Sequence, residues 1–162
     1  MTETVIDKIT QAGVVQFSPA NTSNKFITYP DSGLYFRNAP PDTLQGVVIA
    51  DLVVGDNNQS VWIMGLDDAY GNGLADVIEA TLVEAGIEVL GKTIYDPAAA
   101  SFDTEVGEIA AADPDAIVLI TFEEGARILK TMVELGIGPD TKMVYGCDGN
   151  MGNALGETFD AA

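Results

Sequence analysis

The sequence predicts an α/β fold: a doubly wound parallel sheet with helices on both faces. Three observations carry that prediction. From residue 42 onward, short apolar runs alternate with segments of helical period, the rhythm of parallel sheets. Two of the runs, 61–65 and 116–120, are apolar throughout, as strands covered on both faces must be. A third, 87–95, is interrupted by Glu88 and Lys92 and so belongs at an edge.

Each element has a local reason. Residues 3–12 read as a short helix with Val5, Ile6 and Ile9 on one side and Gly13 as its stop. Val14–Phe17 is a short strand, followed by the polar loop Ser18–Asn24. Residues 25–41 hold Pro30, Pro40 and Pro41 around an extended piece, Leu34–Arg37, and read as a connection between two structural units. Asp42 is expected to cap a helix running to about Val54, with Gln45 placed as in a capping box. Val61–Gly65 is a strand, and 71–85 a helix with Leu74, Val77, Ile78, Leu82 and Ala85 on one face. After the strand Ile87–Tyr95, Ser101 caps a helix carrying Phe102, Val106 and Ile109. Ala116–Thr121 is the next strand, and 123–135 a helix with Ile128, Met132 and Leu135 inward, stopped by Gly136. Lys142–Gly146 is a further strand, and residues 151–160 start a helix that aligns Met151, Leu155 and Phe159. Right-handed crossovers place 87–95 beside 61–65, then 116–120, then 142–146. In this regular series the strand order is 2-1-3-4, and the winding reverses between the first and third strands.

Composition narrows the function. The chain has 162 residues, enough to bury the core of one domain. Hydrophobic residues make up 47% and mean hydropathy is +0.18, which argues against wholesale disorder. No apolar run approaches the length that spans a bilayer. Seven Lys and Arg face 25 Asp and Glu, a formal charge of −18, so the chain is unsuited to gripping nucleic acid or an anionic membrane surface. Histidine is absent, which removes Ser-His-Asp and Cys-His catalysis. Cys147 is the one cysteine, leaving no internal disulfide and no cysteine-based zinc site. Met1–Thr4 is acidic and no signal-peptide core follows it. Two readings stay open: a cytoplasmic protein, or a stretch that begins inside a longer one.

In open parallel sheets, ligands bind beyond the carboxyl ends of the strands at the switch point. That rule selects Leu66–Gly73, Asp96–Pro97, Phe122–Glu124 and Cys147–Asn150. The Gly71-Asn72-Gly73 turn lacks the third glycine of a dinucleotide fingerprint, and Asp67 and Asp68 before it would repel a pyrophosphate. It reads as a tight strand-to-helix turn. Asp67 and Asp68 could form half of a magnesium site. However, the third strand ends in Thr121-Phe122 without a third aspartate, so adjacent carboxylates at a helix start read as caps. Tyr70 and Phe122 either pack the loops or wall a small ligand. Asp148, between Gly146 and Gly149, either caps a turn or points a carboxylate into the crevice to hold a cation. Cys147 reads as a buried filler, with no neighbouring positive charge to activate it.

Several segments occur in a recognisable order: Ser18-Pro19-Ala20-Asn21-Thr22-Ser23, Tyr35-Phe36-Arg37-Asn38-Ala39-Pro40-Pro41-Asp42 with Gln45-Gly46, Asp68–Leu74, Phe102-Asp103 and Asp113–Val118. The set resembles the branched-chain amino-acid-type substrate-binding proteins of ABC transporters, with the type I periplasmic-binding-protein fold, over nearly the whole chain. The resemblance implies a two-lobed receptor with its ligand in a hinged cleft. Residues 1–24 would be a remnant of the first lobe, 25–41 the hinge connection and 42–162 a truncated second lobe. It implies that Ala20, Asn21 and Thr22 present backbone amides and a hydroxyl to the ligand's carboxylate. By the same resemblance Tyr70 packs on or bonds the ligand, Phe122 stands where a tyrosine is frequent, and Asp148 takes the ammonium. The expectation is a binding module and not an enzyme, with no cofactor, an amino acid or related small ligand, and ABC transporter membrane subunits as partners. The intact protein would be extracytoplasmic, its signal segment lying outside this chain. Two rivals are a magnesium-dependent enzyme on a flavodoxin-like sheet, using Asp67, Asp68 and Asp148, and a ligand-sensing regulatory domain of the same fold.

Overall fold

The computed structural model describes residues 2–159. Its main body is a four-stranded parallel sheet of β3 (Ser60–Leu66), β4 (Glu88–Tyr95), β5 (Ala116–Ile120) and β6 (Met143–Tyr145), in the order β4-β3-β5-β6. This is the 2-1-3-4 order expected from the apolar pattern. The central strands are the most buried: every residue of β5 is inaccessible, and so are most of β3. β4 lies at an edge, its Lys92 paired with Asp76 and Glu79 of the neighbouring helix.

The helices follow from the crossovers. The chain moves one way from β3 to β4 and the other way from β4 to β5 and on to β6, so right-handed connections put the first crossover helix on one face and the next two on the other. α2 (Asp42–Gly55) packs on α3 (Ala69–Glu84), while α4 (Asp103–Ala112), α5 (Gly125–Glu134) and α6 (Asn153–Thr158) pack in series. The core joins Ile63, Met64, Leu74, Ile78, Leu82, Val106, Ile109, Ile117, Leu119 and Ile128, all essentially without exposure. At the sheet's other end, the Asp115 carboxylate accepts from the Gln59 and Ser60 N–H groups at 2.9 and 3.0 Å, stapling β5 to β3. Those two amides hold its carboxyl below the usual carboxylate range.

The first residues form a separate small layer. A short 3₁₀ turn and α1 (Ile6–Gln11) lead into β1 (Gln16–Ser18), which pairs in parallel with β2 (Tyr35–Arg37) and not with the main sheet. Ile6, Phe26 and Tyr35 make its own buried cluster, with Tyr29 against it. The outer side chains Val14, Val15, Phe17, Ile27 and Phe36 are each more than half exposed.

Local expectations differ from the structure in several places. Phe102, not Ser101, is the N-cap of α4; Ser101 stands one residue earlier, its Oγ accepting the Asp103 N–H at 3.1 Å. Pro41, not Asp42, is the N-cap of α2; Asp42 is the first helical residue and is wholly buried. Leu135 is 46% exposed, because α5 ends at Glu134; Leu129 and, past the turn, Ile137 point inward instead. Ala85 is exposed as the C-cap residue of α3. Met151 precedes α6 and is 84% exposed, while Leu155 and Phe159 pack on the core; Asp160, expected in the same helix, lies outside the described residues.

Candidate functional site

A cavity of about 220 Å³ opens at the carboxyl ends of β3, β5 and β6. Its lining includes Ala20, Asn21, Thr22, Tyr70, Phe122 and Asp148, so the six candidate residues share one space. Thr2, Glu3, Ser23, Phe26, Asp68 and Ala69 also line it.

One wall is the loop after β1. Its shape comes from its own small polar groups: the Asn21 N–H donates to Ser18 Oγ at 3.1 Å, and the Ser23 N–H to Asn21 Oδ1 at 3.0 Å. The Arg37 guanidinium of β2 crosses behind and donates to the carbonyls of Asn21 (3.3 Å) and Ser23 (2.8 Å). The backbone N–H of Asn21 is thereby engaged within the loop. Thr22 is buried, and its hydroxyl bears on Asp42.

The other wall comes from three separate segments. Asp68 is the N-cap of α3, its Oδ1 accepting from the Tyr70 N–H (2.9 Å) and the Gly71 N–H (2.7 Å). Asp67 accepts from the Asn72 side chain at 3.1 Å. Asp68 thus has the capping role expected of it, whereas Asp67 accepts from a side chain instead of a helix amide. Tyr70 lies in the first helical turn, and its ring stacks on Phe122 with centroids 5.4 Å apart and 23° between planes. Phe122 is placed by its N–H, which donates to Glu124 Oε1 at 3.0 Å; the same carboxylate receives the Tyr95 hydroxyl at 2.8 Å.

Asp148 opens a 3₁₀ turn, Asp148–Asn150, after β6. The Tyr70 hydroxyl donates to Asp148 Oδ1 at 2.6 Å and receives the Gly149 N–H at 3.2 Å. Glycine is required there, because a Cβ would come within 2.7 Å of the Thr121 carbonyl and 3.0 Å of the Tyr70 hydroxyl. Asn150 locks the turn: its Oδ1 accepts the Cys147 N–H (3.1 Å), and its Nδ2 donates to Leu119 O and Thr121 Oγ1, both at 3.1 Å. Cys147 is buried beneath, with Sγ 3.1 Å from the Tyr70 hydroxyl; burial pushes its thiol pKa up. Burial, then the neighbouring Cys147 and Asp148, push the Tyr70 hydroxyl far above its ordinary range, so it stays a neutral donor.

The electrostatics of the space are one-sided. Its formally charged lining residues are Glu3, Asp68 and Asp148, and no Lys or Arg lines it among the described residues. Glu3 is partnered by Lys25 at 2.8 Å, and Asp68 Oδ1 by the α3 amides. Asp148 carries charge toward the cavity with Oδ1 bound to Tyr70. Sequence reasoning did not find Arg37, Ser23 or Phe26, nor the role of Gln45, whose Oε1 accepts the Asp148 N–H at 2.8 Å. Each acts through a contact distant in sequence, and only the polar–aromatic composition around residues 18–26 signals that stretch.

This architecture, with its crevice at the carboxyl ends of the strands, matches the type I periplasmic-binding-protein fold. Solved structures share the architecture. A solute-binding protein from Rhodopseudomonas palustris in complex with benzoate superimposes with a TM-score of 0.86 at 15% identity, covering 99% of this chain and 44% of that one. A branched-chain amino acid ABC transporter protein from Thermus thermophilus with bound valine gives 0.84 at 16% identity, covering 99% and 42%. A periplasmic binding protein type 1 from Bordetella pertussis gives 0.85 at 20% identity, covering 97% and 43%. Among curated sequences, an uncharacterised protein of Methanocaldococcus jannaschii is 29% identical over 146 residues, 84% of this chain and 34% of its own length. A family model described as periplasmic binding protein matches residues 1–161, and the chain belongs to that family. It spans less than half the length of these relatives.

Proposed function

We propose that this chain supplies part of the ligand cleft of an ABC importer's solute-binding protein, and that the ligand is a small amine-bearing molecule of the amino-acid type. The carrying observation is the sign of the cavity: its charged lining residues are all carboxylates, and Asp148 is held in place by Tyr70. A buried ammonium needs an opposing carboxylate, since an unpaired charge in a closed cleft is costly. Asp148 is the cation anchor. The Tyr70–Phe122 stack offers an apolar face to the ligand's body, and the 20–22 loop faces its polar end. Residues 1–24 belong to the first lobe of the intact receptor, 25–41 to the hinge and 42–162 to the second lobe. The protein binds and releases its ligand without chemical change, outside the cytoplasm, and delivers it to membrane subunits.

A second reading has its own support. The stacked aromatic pair suits an aromatic acid, and relatives of the same fold carry benzoate and 4-hydroxybenzoate. Mass spectrometry of small molecules released from the intact, freshly purified receptor separates the two. An amine-bearing molecule is the expected finding. A bound benzoate-type acid without an amine would overturn the assignment of Asp148.

A further inference from the structure

We propose that Gln45 is a positioning residue of this site, and that the first turn of α2 is the brace that sets the spacing of the cavity's two walls. The inference rests on the binding reading above. The walls come from distant parts of the chain, the 20–24 loop and the Tyr70–Phe122–Asp148 group, and α2 starts between them. On the loop side, the Asp42 N–H donates to the Thr22 carbonyl at 2.9 Å, and the Thr43 N–H to Asn24 Oδ1 at 2.9 Å. On the other side, Gln45 Oε1 accepts the Asp148 N–H at 2.8 Å, across 103 residues of sequence. Its Nε2 reaches back to Asp42 Oδ1 at 3.4 Å. A single helical turn therefore holds both walls.

The division of labour at Asp148 is clear. Tyr70 fixes the carboxylate, and Gln45 fixes the backbone from which that carboxylate projects. A side-chain amide suits the post because one end must accept from a backbone N–H while the other donates toward a buried carboxyl. Asp42 is wholly buried, and burial together with the Asp148 charge, opposed by the Thr22 hydroxyl, Arg37 and Gln45, raises its pKa. Gln45 thus joins a buried carboxyl in the brace to the carboxylate in the cavity.

Two ligand-free readouts test the brace in this chain: amide hydrogen exchange at Asp148, and reaction of Cys147, the only thiol, with Ellman's reagent. Gln45→Ala is expected to speed both by about tenfold, the effect of one lost hydrogen bond on a local opening. Gln45→Glu keeps an acceptor toward the Asp148 N–H but loses the donor to Asp42 Oδ1, and is expected to restore only part of the protection. Leu52→Ala, farther along the same helix and 54% exposed, should move neither. If Gln45→Ala folds poorly, Gln45→Met replaces it, losing the polar ends while keeping the bulk. Unchanged exchange and thiol rates in the Ala or Met variant overturn the proposal, as does a Glu variant no better protected than the Ala variant. Neither readout involves a ligand, so failure here leaves the amine reading standing. Absence of an amine from the intact receptor leaves the brace standing.

Discussion

The Tyr70 hydroxyl donates to Asp148 Oδ1 at 2.6 Å, joining the first turn of α3 to the turn after β6. The same oxygen receives the Gly149 N–H, so one phenol serves as both donor and acceptor for the turn. Tyr70→Phe keeps the ring stack on Phe122 but leaves both partners without the phenol. It should lower stability by about 1.5–3 kcal/mol, the range for bonds to a charged group. Urea unfolding measures this, and an unchanged midpoint would show that water replaces the hydroxyl without loss.

The acidic residues at the cavity should separate by role. In the intact receptor, Asp148→Asn should weaken an amine-bearing ligand by about 2–5 kcal/mol, the cost of breaking a buried charge pair. Asp68→Asn should change affinity much less. Its carboxylate caps α3 through two backbone amides, so the variant should instead lose about 1 kcal/mol of stability. Isothermal titration paired with thermal unfolding of both variants decides the matter. Equal affinity losses would mean that the wrong carboxylate has been assigned.

Gly71 should tolerate no side chain. A Cβ there would collide with the carbonyl oxygen of Leu66, backbone that cannot swing aside. Gly71→Ala should therefore displace the start of α3 and cost several kcal/mol, roughly the upper range for overpacking. Gly73→Ala meets nothing within 4 Å and should be neutral or slightly stabilising, since alanine is the better helix former. Chemical denaturation of the pair gives the comparison; similar stabilities would contradict the packing described for this turn.

Alkaline pH should weaken the fold through Tyr145. Its hydroxyl donates to Asp56 Oδ2 at 2.6 Å and accepts from Asn58 Nδ2 at 2.9 Å. Burial, then the Asp56 bond, raise its pKa from 10.0 to about 12. Between those values the unfolded chain releases a proton that the folded chain keeps. Stability contributed by this group is therefore full below pH 10 and is lost as pH rises toward 12. Tyr145→Phe should lower stability at neutral pH and make the alkaline decline shallower. A decline of unchanged slope would assign it wholly to other groups, such as Tyr70 and Tyr95, whose hydroxyls are also shifted upward.

Much of the molecule was legible from local pattern. The continuous apolar runs of β3 and β5 and the charges on β4 define centre and edge, because a strand covered on both faces cannot carry an unpaired charge. With right-handed crossovers these place the mouth of the sheet, and Tyr70, Phe122 and Asp148 fall there. Asp68 was readable as a cap because its two partners lie two and three residues away. Helix ends were read less well. Leu135 and Met151 match the period of an inward stripe, but hydrophobic spacing does not encode the residue at which the backbone leaves the helix.

The sequence by itself determined the sheet order, the acidic character of the molecule and the exclusion of histidine-based chemistry, since these follow from residue type and short-range period. Only the tertiary structure decided that Asp148 is held by Tyr70 and Gln45, and that Arg37 shapes the 20–23 loop from behind. It also paired β1 with β2, leaving the first strand outside the main sheet. The reason is distance along the chain. A hydrogen bond across 103 residues leaves no mark in local spacing. It exists because two separately specified segments, the start of α2 and the turn after β6, are brought together by the packing of the sheet between them.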